Sequence, residues 1–113
     1  MAEYLYLFRG GELPNNSPEH MQRHMEQWRA WIGALAKQGK FKAGDPLEQG
    51  GRTLTGRGKT VTDGPYAEAK DLVGGYLIVT ASSLDDATEM ARGCPIFDAN
   101  GSVEVRTVRK MDQ

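Results

Sequence analysis

Apolar and polar positions along the chain follow two periods, one close to two residues and one between three and four. Tyr4-Leu5-Tyr6-Leu7-Phe8 is aromatic or apolar at every position and is closed by Arg9-Gly10-Gly11, which predicts a strand with apolar side chains on both faces. Met21, Met25, Trp28, Ile32 and Leu35 then step by four, three, four and three, the stripe of an amphipathic helix. Ser17 stands where an N-cap belongs, Pro18 at the first helical position, Glu19 in the first turn and Gly39 at the stop. Phe41 to about Gln49 reads as an extended segment broken by Asp45-Pro46, an edge or a bend, because a proline cannot donate to a central ladder. Thr53-Leu54-Thr55 and Thr60-Val61-Thr62 flank Gly56-Arg57-Gly58-Lys59, which predicts a hairpin projecting into solvent. Asp63-Gly64-Pro65-Tyr66 follows as a turn, and a charged stretch leads through Asp71 to Gly74-Gly75.

Tyr76-Leu77-Ile78-Val79-Thr80-Ala81 is a second strand apolar on both faces, and Ser83 with Asp86 forms a capping box for a second helix. That helix carries Leu84, Ala87, Ala91 and Cys94 as its inner stripe and ends at Gly93 and Pro95. Asn100-Gly101 opens a last strand in which Val103, Val105 and Thr107 share one face. The order of elements is the α+β ferredoxin-like βαββαβ plan with an inserted hairpin, and no repeat or linker divides residues 1–113, so one domain is expected. Two helices cover only one face of such a sheet. The two-faced strands therefore predict a homodimer packed sheet to sheet.

Composition narrows the function. The 14 Lys and Arg balance 15 Asp and Glu to a net charge of −1, so there is no basic stripe for nucleic acid and none for an anionic membrane. The longest apolar run of aliphatics is Leu77-Ile78-Val79, too short for a membrane span, and the N-terminus lacks the order of a signal peptide, so a cytoplasmic location is expected. A single cysteine, Cys94, excludes an intramolecular disulfide and a multi-cysteine zinc site. For 12.4 kDa, the folded chain is expected to expose about 6,100 Å² against roughly 18,000 Å² when extended, enough burial for one core.

Several ordered motifs carry a resemblance to a known family. Asp63-Gly64-Pro65-Tyr66-Ala67-Glu68-Ala69-Lys70, Gly74-Gly75-Tyr76, Ala91-Arg92-Gly93-Cys94-Pro95 and Gly101-Ser102-Val103-Glu104-Val105-Arg106 resemble the DGPF subgroup of the YCII-related family, as do the Ser17-Pro18-Glu19 helix start and Trp28 and Trp31. Tyr66 stands in place of the subgroup's phenylalanine. The resemblance implies a dimeric α+β barrel of ferredoxin-like subunits, bacterial and cytoplasmic, with a sigma-factor-linked regulator as a candidate partner. It also implies a His-Asp pair in a cleft, with His20 matching the family's histidine and Cys94-Pro95 standing where Asp-Pro is common.

The residues themselves nominate the same region. His20 and His24 are one helical turn apart and share a face of the first helix. Two histidines without a carboxylate or thiolate in the motif make a poor metal site, so no metal and no cofactor is expected. The first-turn position of His20, near the positive end of the helix dipole, favours the neutral imidazole that a general base needs. The rigid Asp63-Gly64-Pro65-Tyr66 turn would hold Asp63 and Tyr66 at a cleft mouth, and Arg106 would bind an anion or pair with Glu104. Cys94 reads as an inert core thiol at the negative end of a helix. Gly58-Lys59-Thr60 is no phosphate loop, because Thr53 occupies its first glycine position and strands flank it.

Three functional readings follow. One is a ligand-binding protein with a cleft between the first helix and the Asp63 loop, using Asp63, Gly64, Pro65, Tyr66 and Arg106 and having a regulatory output. Another is a cofactor-free enzyme with His20 or His24 as general base and Asp63 sharing the proton. The third is an interaction module linked to transcription regulation.

Overall fold

The computed structural model describes residues 1–11, 17–64 and 71–111. The chain runs β1 (Ala2–Arg9), α1 (Pro18–Lys37), β2 (Phe41–Pro46), β3 (Arg52–Thr55), β4 (Thr60–Asp63), β5 (Val73–Ala81), α2 (Leu84–Ala91), a 3-10 turn (Pro95–Ala99) and β6 (Ser102–Thr107). Four strands form an antiparallel sheet in the order β2-β5-β1-β6, while β3 and β4 pair separately as the inserted hairpin. This is the ferredoxin-like α+β arrangement: α1 and α2 each carry the chain across one intervening strand. Among the described residues, no helix is long and apolar enough to cross a membrane.

Strand register sorts the two faces. Tyr4, Tyr6 and Phe8 sit opposite Val79, Leu77 and Gly75 on one side and Thr107, Val105 and Val103 on the other, so these residues form the face beneath the helices. Leu5 and Leu7, opposite Ile78 and Tyr76, lie on the face that neither helix covers. Tyr6 and Val79 are fully buried. The Tyr6 ring stacks on Trp31 with centroids 6.2 Å apart, and Phe8 meets Trp28 edge to face at 5.1 Å. The Trp31 indole donates to the Met90 carbonyl at 3.2 Å, tying α1 to α2. Gly93 lets the indole approach closely, because a Cβ there would stand 3.2 Å from the Trp31 ring and press it outward.

The helix caps form as expected at Ser17, whose hydroxyl accepts from the His20 amide, and at Ser83, which accepts from the Asp86 amide at 3.0 Å. The reciprocal half of the second cap is shifted by one residue, since the Asp86 carboxylate accepts from the Ser82 amide and hydroxyl. Two stripes also differ from expectation. On α1 the packed face is Trp28, Trp31, Ile32 and Leu35, while Met21 and Met25 are about half exposed at 50% and 51%. The two indoles take up the sheet contact, and the first turns of α1 run beyond it. On α2, Leu84 is exposed while Ala87 and Ala91 are buried, and Cys94 lies past the helix end at the N-cap of the 3-10 turn.

Burial pushes the Tyr6 phenol up to about 12, and its hydroxyl donates to the Ala87 carbonyl at 2.5 Å. Tyr6→Phe removes this bond while the Ala87 carbonyl keeps its place in the α2 ladder, and is expected to cost about 0.5–1.5 kcal/mol. The loss will read as a lower urea midpoint with an unchanged denaturant slope.

Candidate functional site

A cavity of about 480 Å³ opens between α1 and the β2–β5 side of the sheet. That volume falls within the roughly 300–1,000 Å³ of small-molecule sites. Helix α1 contributes His24, Met25, Trp28, Arg29 and Ile32; the strands contribute Phe8, Phe41, Gly44, Pro46, Gly75 and Leu77; Gly10, Gly11, Gly74 and Ile96 close one end. Asp45 and Tyr76 also border it. The lining is mostly apolar and aromatic because the stripe of α1 faces the edge strand, where the wall is thin. Glycine at 44 permits this close strand pairing, since a Cβ there would come within 2.5 Å of the Tyr76 carbonyl oxygen.

On the strand side the Tyr76 hydroxyl donates to Asp45 Oδ2 at 3.5 Å, and the other polar side chains on the wall come from α1. The Trp28 indole N–H donates to His24 Nε2 at 3.0 Å, and the half-buried His24 ring sits edge to face with Trp28. An indole only donates, so the Nε2 it binds carries no proton, and in the neutral ring the hydrogen resides on Nδ1. Among the described residues, neither His24 Nδ1 nor the Arg29 guanidinium has a hydrogen-bond or ion-pair partner. Sequence reasoning missed Arg29. It lies outside the apolar stripe, and only its place beside the cavity distinguishes it from other helix cations.

The structure does not bring the other nominated residues to this cavity. His20 is exposed, with Nδ1 3.2 Å from an Arg23 guanidinium nitrogen. Asp63 ends β4 on the hairpin, its side chain 99% exposed and 3.8 Å from Arg52. The two rings are thus engaged by Arg23 and Trp28, and Asp63 by Arg52, with no hydrogen bond between histidine and Asp63 within the chain. Among the described residues, the cleft along α1 is walled by β2 and β5, and neither Asp63 nor Gly64 lines it; residues 65–70 of the Asp63 loop lie outside the described residues. Gly64 adopts a left-handed turn conformation and its carbonyl accepts from the Thr53 hydroxyl, whereas Pro65 and Tyr66 lie outside the described residues. Arg106 does not line the cavity; it pairs with Glu104 at 3.2 Å on the uncovered sheet face.

Glu104 is shared. Arg9 reaches it across the β1–β6 pair at 2.6 Å and also donates to the Asp71 carbonyl. Cys94 is buried, and loss of solvent raises its thiol to about 12, against a smaller opposing contribution from a hydrogen bond with the Ile96 backbone. It is an unactivated core thiol. Among the described residues, no three of His, Cys, Asp and Glu converge as metal ligands.

The YCII-related domain family model matches residues 4–112, nearly the whole sequence. The chain belongs to the YCII-related domain family. A search of curated proteins returns no significant relative. Among solved structures, this YCII-related chain is similar to 5-chloro-2-hydroxyhydroquinone dehydrochlorinase from Burkholderia phenoliruptrix AC1100, in complex with 2,5-dihydroxybenzoquinone. The two are 21% identical, with a TM-score of 0.48 over 95% of this chain and 93% of that one. A likeness at that level decides nothing about chemistry.

Arg9 and Arg106 hold the Glu104 carboxyl below its ordinary range, the Arg9 hydrogen bond being the larger cause. A carboxyl lowered on folding stabilises above its unfolded value and loses that contribution as pH falls through the folded one. Glu104→Gln is therefore expected to melt below wild type at pH 7. The gap will narrow as pH drops below about 4.3, the ordinary glutamate value, which melting temperatures from pH 7 to pH 3 will check. Glu3, lowered by Lys42 and Lys110, and Asp86, lowered by Ser82, keep an acid slope in both proteins.

Proposed function

We propose that this YCII-related chain is a small-molecule-binding protein whose site is the α1 cavity. The observation that carries the reading is an aromatic-lined cavity of about 480 Å³ with two unpartnered polar groups, His24 Nδ1 and the Arg29 guanidinium, on one wall. Apolar walls with few placed polar groups are what a ligand site requires: area for affinity and donors for orientation. The enzymatic reading is less well supported for His24, because accepting a proton at Nε2 means first releasing the Trp28 N–H. A regulatory role beside a sigma factor rests on the resemblance alone. In a thermal-shift screen of small organic compounds, a ligand at a hundred times its dissociation constant adds about 2.7 kcal/mol. Hits are expected to stabilise wild type and not Ile32→Trp, which fills the cavity. Hits retained in full by that variant would place binding elsewhere.

The partner we propose is a second copy. The chain exposes 8360 Å², roughly 2,200 Å² more than a compact monomer of its mass. Its radius of gyration of 15.8 Å likewise exceeds the about 13 Å of a compact chain this long. A standard interface takes about 800 Å² from each partner, so the surplus is ample. Leu5, Leu7, Tyr76 and Ile78 supply an apolar centre on the uncovered sheet face. Arg9, Glu104 and Arg106 edge it on one side and Glu3, Lys42 and Lys110 on another. Light scattering is expected to give twice the 12.4 kDa chain mass at micromolar concentration, and Ile78→Glu is expected to give folded monomer by circular dichroism. A monomeric wild type would end the dimer reading.

A further inference from the structure

Resting on the cavity reading above, we infer that the ligand is an apolar organic acid: a flat or compact hydrocarbon body with a single carboxylate, its charge met by Arg29 and one oxygen accepting from His24 Nδ1–H. The body is set by the wall. Phe8, Trp28 and Phe41 present ring faces and edges, with Ile32 and Leu77 between them. Among the described lining residues, Asp45 is the one side-chain carboxylate, and it already accepts from the Tyr76 hydroxyl at 3.5 Å. That single acceptor does not pair the several hydroxyls and amines of sugars and nucleosides, and leaving those groups unpaired costs more than their burial returns.

The head is set by what α1 leaves free. Four strand-side cations have a carboxylate partner, Arg9 and Arg106 in Glu104 and Lys42 and Lys110 in Glu3, whereas the α1 cations Arg23, Arg29 and Lys37 have none among the described residues, and of these Arg29 is the one beside the cavity. A guanidinium at the edge of an apolar, poorly hydrated wall attracts an anion more strongly than one in bulk water, and its planar fork matches a carboxylate. The His24 ring borders the same space. With Nε2 taken by the Trp28 N–H, the ring offers a donor and no acceptor, which again selects an oxygen acceptor over a donor group. Trp28 is a positioning residue in this arrangement, since its N–H fixes which nitrogen of His24 carries the hydrogen.

The test compares 2-naphthoate with its near-isosteric neutral partner 2-naphthamide, by calorimetry on the full chain at neutral pH. Wild type is expected to bind the acid at least tenfold more tightly than the amide. Arg29→Gln is expected to remove most of that preference by weakening the acid alone. His24→Phe is expected to weaken both, since each offers a carbonyl oxygen to the Nδ1–H donor. Equal binding of acid and amide by wild type, or an unchanged preference in Arg29→Gln, would overturn the acid assignment and leave the cavity reading intact. No binding of either compound at millimolar concentration, together with a screen empty for wild type, would overturn both. Arg29 is exposed on α1 and takes no part in the core, so its variant keeps the fold.

Discussion

The contact between the α1 indoles and the aromatic face of β1 is the constraint from which the rest of the architecture follows. Trp31 stacks on Tyr6, Trp28 meets Phe8 at right angles, and the two indoles meet each other at 78° with centroids 5.8 Å apart. Rings this large fix both the height of α1 above the sheet and its rotation about its axis. The polar ends of the same side chains then tie the second helix in: the Tyr6 hydroxyl to the Ala87 carbonyl, and the Trp31 N–H to the Met90 carbonyl. Burial of aromatic area supplies the driving force, and these two hydrogen bonds select one docking geometry.

The cavity is a consequence of that height. Beyond the indoles the floor changes from rings to glycine: Gly44, Gly74 and Gly75 border the same space as Trp28 and Ile32. Gly44 and Gly75 let β2 and β5 pair closely, a Cβ at either meeting the neighbouring strand, and the helix held up by tryptophan leaves volume beside them that the described residues do not fill. The same helical turn that seats Trp28 against Phe8 directs its N–H to His24 one turn earlier. Packing and the state of the site are thus joined in one residue, and any change at Trp28 alters both.

The uncovered face poses a different balance. Its centre is aliphatic and aromatic, while its borders are ion pairs whose carboxylates, Glu3 and Glu104, each serve two cations. Pairing the border charges lowers the cost of covering this face, because unpaired charges are costly to bury. The hairpin shares this character. Leu54 and Val61 stand directly opposite each other and are 63% and 53% exposed, beside the Arg52–Asp63 pair.

The sequence by itself determined the order of elements, the caps at Ser17 and Ser83, the exclusion of β2 from a central place in the sheet and the two-faced character of β1 and β5. Each is set locally, by the side-chain period, by a capping oxygen or by a proline that cannot donate. Which part of the α1 stripe would pack was not local. The spacing of Met21 and Met25 is as regular as that of Trp28 and Ile32, and only the contact of the indoles with β1 and the cavity beside Met25 separate the packed from the exposed. Candidate chemistry followed the same division. His24 was legible as a titratable group on the right face, but its tautomer, the selection of His24 over His20, the absence of Asp63 from the cavity wall and the presence of Arg29 there were decided by tertiary structure. These depend on where the hairpin places Asp63 and how high two indoles hold a helix, relations that arise only when segments far apart in the chain are packed together.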